Sequence, residues 1–289
     1  MKPIIAHKGK IIARNFMTKY PSGEPAWKPG IEIPNDSVIG FQWNGSINDI
    51  IAFCSWMDTT SHTPFGCTAV IPFLPCSRQD KDGPVDGDQS RGAQFILSML
   101  QDSNVEKVVL LDNHSTDILK PYGEFVENMS PINVTSDLDC DLIVSPDHGG
   151  IGRAHKVSCM NGAPVICAEK VREQSSGKIT TYSFPETVSK QYKKILVVDD
   201  IIDGGYTFVL LGERLKKIWP KAEITLACTH GVLSGFPNMP EAFRFYDKVV
   251  MTNSCVNAGN MAHVLNLKMK VEIIEVVERI TIERSLENA

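Results

Sequence analysis

Short apolar runs without alternation recur along the chain: TAVIPFL (68–74), KVVLLD (107–112), DLIVS (141–145), APVICA (163–168), KILVVD (194–199), ITLACT (224–229) and KVVMTN (248–253). A run that is apolar at every position is buried on both faces, as parallel strands are. Helical patterns separate several of them, over Ser46 to about Asp58, Ser90 to about Leu100, Thr207–Ile218 and Val271 to about Glu283. This alternation predicts an α/β fold with a mostly parallel sheet. Ligands are then expected outside the carboxyl ends of the strands. Two places break the rhythm. Residues 3–13 (PIIAHKGKIIA) are two apolar runs around a Gly-containing turn and predict a β-hairpin, while 115–139 are polar, contain Pro121, Gly123 and Pro131, and show little helical period. A boundary is expected there, giving domains 1–138 and 139–289.

The 289 residues, 43% hydrophobic and 22% charged, are those of a chain that buries a sizeable core. The net charge of −5 argues against non-specific nucleic-acid or anionic-membrane binding. Eight scattered cysteines without a CxxC pair read as reduced, packed thiols. The N-terminus MKPIIAHKGK has no apolar signal region, and no stretch approaches the 18 or so apolar residues of a membrane span. A soluble, cytoplasmic protein is expected.

Strand ends carry the polar chemistry. In VVDDIIDGGYT (197–207) an apolar strand runs into Asp199 and Asp200, then Asp203, Gly204 and Gly205 precede a helix starting near Thr207. Carboxylates at a strand end accept bonds from ribose hydroxyls or hold hydrated Mg²⁺, and glycines before a helix let backbone N–H groups wrap a phosphate. The plainer reading of this segment is a surface turn with N-capping acids. Asp112 and His114 follow another strand, Asp147 and His148 precede Gly149-Gly150 with Arg153 in the next helix, and Arg78, Gln79, Asp80 and Lys81 follow a fourth. One such histidine is ordinarily structural. Four polar clusters at four strand ends share one side of a parallel sheet.

Together these segments resemble ribose-phosphate pyrophosphokinases (PRPP synthetases), within the type I phosphoribosyltransferase-like superfamily. VVDDIIDGGYT is similar to that family's ribose-phosphate loop, VSPDHGGIGRA to its mid-chain signature, IPFLPCSRQDK to its ATP-side loop and LLDNH to its metal-binding strand end. ACTHGVLSG (227–235) and MTNS (251–254) are similar to its late strands, and the order holds over about 66–256. The resemblance implies two similar α/β domains and assembly into a homo-oligomer, a dimer or hexamer with a composite active site. It implies transfer of the β,γ-diphosphoryl group of Mg-ATP to the anomeric hydroxyl of ribose 5-phosphate, giving PRPP and AMP, with Mg²⁺ as cofactor. Carried over residue by residue, it puts His114, Asp147 and nearby Asp112 with the metal. Arg78, Gln79, Asp80 and His114 go to ATP, with Tyr20 and Glu24 of KYPSGEP at its adenine, where Ser22 replaces a usual Asp. Lys170 and Arg172 match the catalytic cations, Asp199, Asp200 and Asp203 the ribose-binding acids, and Gly204, Gly205, Tyr206 and Thr207 the phosphate-binding turn. On sequence alone Lys170 and Arg172 would read as a solvated pair.

The sequence departs from the pattern. The family's DTxGT reads Asp203-Gly204-Gly205-Tyr206-Thr207, so a hydroxyl is missing at 204 and an aromatic stands at 206. The segment after Asp80, KDGPVDGDQS, is acidic where the family is basic, which undermines a regulatory phosphate site. The changed turn opens a second acceptor, a 5′-extended ribose such as ADP-ribose, whose diphosphorylated product would feed NAD synthesis. A phosphoribosyltransferase consuming PRPP is disfavoured by the SRQDK and VSPDHGG segments, and a non-catalytic regulatory homologue by Lys170, Arg172, His114 and Asp147.

Overall fold

The computed structural model describes the chain except residues 1–2, 29, 44–45, 60–65, 80–90, 131–134, 136, 173–178, 186–189, 235–242, 256–269 and 289. Asp80 and the acidic segment after it therefore lie outside the described residues. The chain divides into two compact units, residues 1–129 with 253–256 and 275–289, and residues 130–252 with 257–274.

In the first unit, β1 (Ile4–His7) and β2 (Lys10–Arg14) form the expected hairpin. Lys8 and Gly9 both take positive φ, +49° and +73°, the two left-handed residues that a tight hairpin turn requires. A second small hairpin joins β3 (Met17–Lys19) to β4 (Pro25–Trp27). β5 (Val38–Gly40), β6 (Thr68–Val70), β7 (Lys107–Leu111) and β8 (Val126–Met129) are mutually parallel. The sheet runs β2-β1-β5-β6-β7-β8, with β1 antiparallel to β2 and to β5. Alternate strand residues face the helices α1 (Asn48–Thr59) and α2 (Gly92–Asp102), so that Ile5, Ile39, Ala69, Val108 and Leu110 share a core with Phe53, Met57, Ile96 and Leu100.

The second unit holds a fully parallel sheet of β9 (Leu142–Ser145), β10 (Val165–Cys167), β13 (Lys194–Ile202), β14 (Glu223–Gly231), β15 (Lys248–Thr252) and β16 (Lys270–Ile274), in the order β10-β9-β13-β14-β15-β16. β11 (Glu169–Arg172) and β12 (Ile179–Ser183) form a separate hairpin. Two helices position the site, α3 (Ile151–Asn161) after β9 and α4 (Tyr206–Ile218) after β13. The α/β architecture is the one expected.

The end of the chain differs from the expectation. Val271–Ile274 do not begin a helix; they extend β16 beside β15, and the helix α5 (Val277–Glu287) starts three residues later. Val, Glu, Ile, Ile fits a strand and a helix alike, and pairing along β15 decides it. α5 packs on β1 and β5 of the first unit, where a Cβ on Gly40 would overlap Thr281 Oγ1. A single cut at 138/139 assigned this helix to the second domain, whereas the contacts return it to the first and place the division after Met129. All eight cysteines are free, and burial pushes the Cys54 thiol up to about 11 and Cys67 to about 12, so both stay protonated. Among the described residues, no helix is long and apolar enough to cross a membrane.

Candidate active site

In the second unit the chain leaves β9 toward β10 on one side and toward β13 on the other. Such a reversal of strand order opens a crevice at the carboxyl edge of a parallel sheet. β13 is longer than its neighbour: its pairing with β9 ends at Val197, and it continues beside β14 to Ile202. Asp199 and Asp200 therefore stand beyond the end of β9, beside the loop that β9 feeds.

That loop is held by its own polar groups. Ser145 Oγ donates to the carbonyl of Asp147 at 2.7 Å, and Gly150 N–H donates to Asp147 Oδ1 at 3.2 Å. Gly150 must be small, because a Cβ there would lie 2.8 Å from Ser145 Oγ. Lys170, just past β10, donates through Nζ to Asp147 Oδ2 at 2.5 Å. Burial acts to raise the Asp147 pKa, but the Lys170 bond and charge, with the N–H groups of Gly149 and Gly150, outweigh it and hold the carboxyl below its ordinary range.

Arg153, on the first turns of α3, inserts between the two acids of β13. Its guanidinium nitrogens lie 3.7 Å from Asp199 Oδ1 and 3.7 Å from Asp200 Oδ2, with side chains 9%, 19% and 6% exposed in that order. Asp200 N–H also donates to Asp199 Oδ1 at 3.0 Å. Burial and the neighbouring Asp200 carboxylate push the Asp199 carboxyl well above its ordinary range, against the pull of Arg153. The pair can thus share a proton and both donate and accept toward a diol.

Asp203 follows, and Ser234 donates to its Oδ1 from both the backbone N–H, at 3.3 Å, and the hydroxyl. A Cβ on Gly204 would meet nothing within 4 Å, whereas Gly205 sits at φ +74° and opens α4. No side chain caps this helix, so its first N–H groups present the positive end of the helix dipole. Tyr206 is 60% exposed and Thr207 is half-buried. Arg172 pairs with Ile179 in the β11–β12 hairpin, and its side chain lies outside the described residues.

The first unit brings its own candidates to three places. At the end of β7, Asp112 takes φ +44° and is buried, the buried Asn113 donates through its backbone to Asn128 Oδ1 at 3.0 Å, and His114 is exposed. After β6, Gln79 Oε1 accepts from Gly92 N–H at 3.0 Å, so this residue closes the start of α2, and Arg78 beside it is exposed. In the β3–β4 hairpin Tyr20 is 61% exposed and Ser22 Oγ donates to Glu24 Oε2 at 2.8 Å. Glu24 lines a cavity of about 610 Å³ with Trp27, Ile51 and Trp56.

Among the described residues, no group of three or more His, Cys, Asp or Glu side chains could hold a metal by itself. The donors nonetheless fit Mg²⁺. That ion takes one or two carboxylates and keeps water and phosphate for its remaining positions. In the second unit Asp147, fixed by Gly150 and Lys170, is a carboxylate of that kind; in the first unit Asp112 is another, with the exposed His114 two residues on.

The family model of the phosphoribosyl transferase domain matches residues 127–263, nearly all of the second unit. The chain is 26% identical over 223 residues to a ribose-phosphate pyrophosphokinase of Campylobacter jejuni, covering 74% of this chain and 69% of that protein. It is 30% identical over 194 residues to one from Ralstonia nicotianae, covering 65% of this chain and 60% of that protein. The crystal structure of phosphoribosylpyrophosphate synthetase from Mycobacterium smegmatis superposes with a TM-score of 0.74 at 21% identity, covering 94% of this chain and 90% of that one. The chain is similar to ribose-phosphate pyrophosphokinases over much of its length. It spans only about half the length of the similar proteins from Lactococcus lactis (52%) and Clostridium acetobutylicum (53%). The superposition on the Mycobacterium smegmatis structure shows the fold, two phosphoribosyltransferase-like α/β units. In the second unit's site, Arg153 was named from sequence as part of a polar cluster but given no role, and Ser234 was not singled out. Arg153 had one signal, a cation one turn into a helix behind Gly149-Gly150, while Ser234 had none, because its partner Asp203 is 31 residues away.

Proposed function

We propose that the protein is an ATP-dependent diphosphokinase that transfers the β,γ-diphosphoryl group of Mg-ATP to the anomeric hydroxyl of ribose 5-phosphate, releasing AMP. The observation that carries this reading is the carboxyl edge of the second unit's sheet. Three acids (Asp199, Asp200, Asp203) adjoin a helix N-terminus with no side-chain cap on one strand end, and a Lys170–Asp147 pair stands on the neighbouring ends. The relatives' names point to the same chemistry.

In this reading the Asp199–Asp200 pair binds the 2- and 3-hydroxyls, and the N–H groups at Gly205–Thr207 take the 5-phosphate. The anomeric oxygen then attacks the β-phosphorus, the bond from that phosphorus to the α,β-bridging oxygen breaks, and the hydroxyl proton is lost to solvent. Lys170 and Arg172 offset the charge that spreads over the transferring oxygens. Bound Mg²⁺ would supply further charge neutralisation at the phosphates, with Asp112, His114 and Asp147 as the residues to hold it. Tyr20, Glu24, Arg78, Gln79 and Asp80 are assigned to ATP, and a homo-oligomer with a composite site completes the proposal.

A second acceptor is favoured by one observation. Gly204 borders open space and Tyr206 presents an exposed ring at the phosphate turn, so a group attached beyond the 5-phosphate would find room and a stacking face. ADP-ribose has such a group. Parallel assays of AMP release with ribose 5-phosphate and with ADP-ribose separate the two. Turnover with ADP-ribose alone would replace ribose 5-phosphate as acceptor, and turnover with neither would sink both readings.

A further inference from the structure

The segment leaving β14 is built around one carboxylate. The parallel pairing of β13 and β14 ends at Ile202 and Gly231. Immediately beyond, the N–H groups of Val232 and Leu233 both donate to the carbonyl of Ile202, at 2.9 and 3.0 Å. Two donors on one carbonyl turn the chain sharply. To make the turn Leu233 takes φ +56°, a left-handed conformation that L side chains rarely adopt. Its side chain is fully buried, so packing holds it there. At Gly231, where the pairing ends, a Cβ would lie 2.5 Å from Met251 Sδ.

What this strained turn delivers is Ser234. Its N–H, at 3.3 Å, and its hydroxyl both donate to Asp203 Oδ1. Asp203 sits immediately before Gly204 and Gly205, at the start of the turn that opens α4. Backbone strain kept by surrounding packing, and ending on a site carboxylate, points toward function rather than away from it.

We propose that Ser234 is a positioning residue that fixes the Asp203 carboxylate for binding the ribose-phosphate substrate. The inference rests on the reading of residues 199–207 as the ribose-phosphate loop. A merely structural staple between the β13 and β14 exits would affect stability and leave substrate affinities alone; a positioning residue acts on one substrate only. Ser234 is exposed, so Ser234→Ala removes the hydroxyl without opening a core cavity, and Ser234→Thr keeps it.

The test is a KM comparison with a binding measurement beside it. Ser234→Ala is expected to raise the KM for the ribose-phosphate acceptor about five- to tenfold, from one lost bond to a charged group at a solvated site, with the KM for Mg-ATP unchanged. Ser234→Thr is expected to restore it. Calorimetric titration with ribose 5-phosphate and with ADP-ribose should show the same loss of affinity in Ser234→Ala without any turnover. An unchanged acceptor KM, an equal rise in both KM values, or no rescue by threonine would overturn the proposal. If the wild-type protein releases no AMP but binds either acceptor, the diphosphokinase reading fails and the calorimetric ratio alone decides the role of Ser234. Absence of binding to both acceptors overturns the role as well.

Discussion

Replacing Arg153 with methionine removes one cation from between two buried acids, and its cost follows from the geometry. At 3.7 Å each, and with an effective dielectric of about 20, the attraction to each carboxylate is roughly 4–5 kcal/mol. The net loss is smaller, because the distances exceed hydrogen-bond length and Asp199 can take a proton when its cation is gone. Breaking a buried pair by removing one partner costs about 3–5 kcal/mol, and the lower end applies here. For a domain of this size, about 3 kcal/mol corresponds to roughly 6–12 °C in Tm. The pH dependence has a definite sign. An unfolded aspartate ionises near 3.8, while the folded Asp199 carboxyl is already raised and would rise further in Arg153→Met. Between those values the folded state holds a proton that the unfolded state has lost, so the variant loses stability as pH rises. Thermal unfolding followed by circular dichroism at pH 5 and pH 8 should show the larger deficit at pH 8. Asp199→Asn in the Arg153→Met background should recover part of it, as expected for coupled neighbours. A deficit below about 1 kcal/mol, equal at both pH values, would refute the account of this triad.

Three further outcomes follow. Asp147 has its carboxyl lowered by Lys170, so it stabilises the fold above about pH 4 and loses that contribution as pH falls through the folded value; Asp147→Asn should flatten acid-side melting curves by about 1 kcal/mol or less, since the pair is partly solvated. Lys170→Ala with Arg172→Ala should cut turnover by roughly two or more orders of magnitude while ATP binding, read by calorimetry, persists; unchanged turnover would show that these cations do not touch the transferring group. If the acceptor is extended, Tyr206→Ala should raise the KM for ADP-ribose about tenfold and leave that for ribose 5-phosphate alone, the loss expected for one stacked base.

Much of the fold was legible because parallel strands are buried on both faces and announce themselves as unbroken apolar runs: KVVLL, LIVS and KILVV all became strands of the predicted kind. The β1–β2 hairpin was legible from Lys8-Gly9 for a different reason, its turn chemistry. β3, β4 and β8 were not, because three- and four-residue strands such as Val126–Met129 carry too little pattern, and pairing with a neighbour makes them. Nor could the amphipathic face of α5 say which of two cores would receive it. At the site, the order of acids and glycines in 197–207 was readable, but Arg153 lies 46 residues before Asp199 in the chain, and only the crossover from β9 to β13 brings them together. The departures at Gly204 and Tyr206 were visible as letters; that one borders open space and the other is exposed needed the fold.

The most direct test of the central claim is the nucleotide left behind. Purified protein given Mg-ATP and either ribose 5-phosphate or ADP-ribose, followed by ³¹P NMR, should form AMP in step with a new diphosphate at the anomeric carbon, with no ADP. Formation of ADP, or no acceptor-dependent loss of ATP with either sugar, would contradict it.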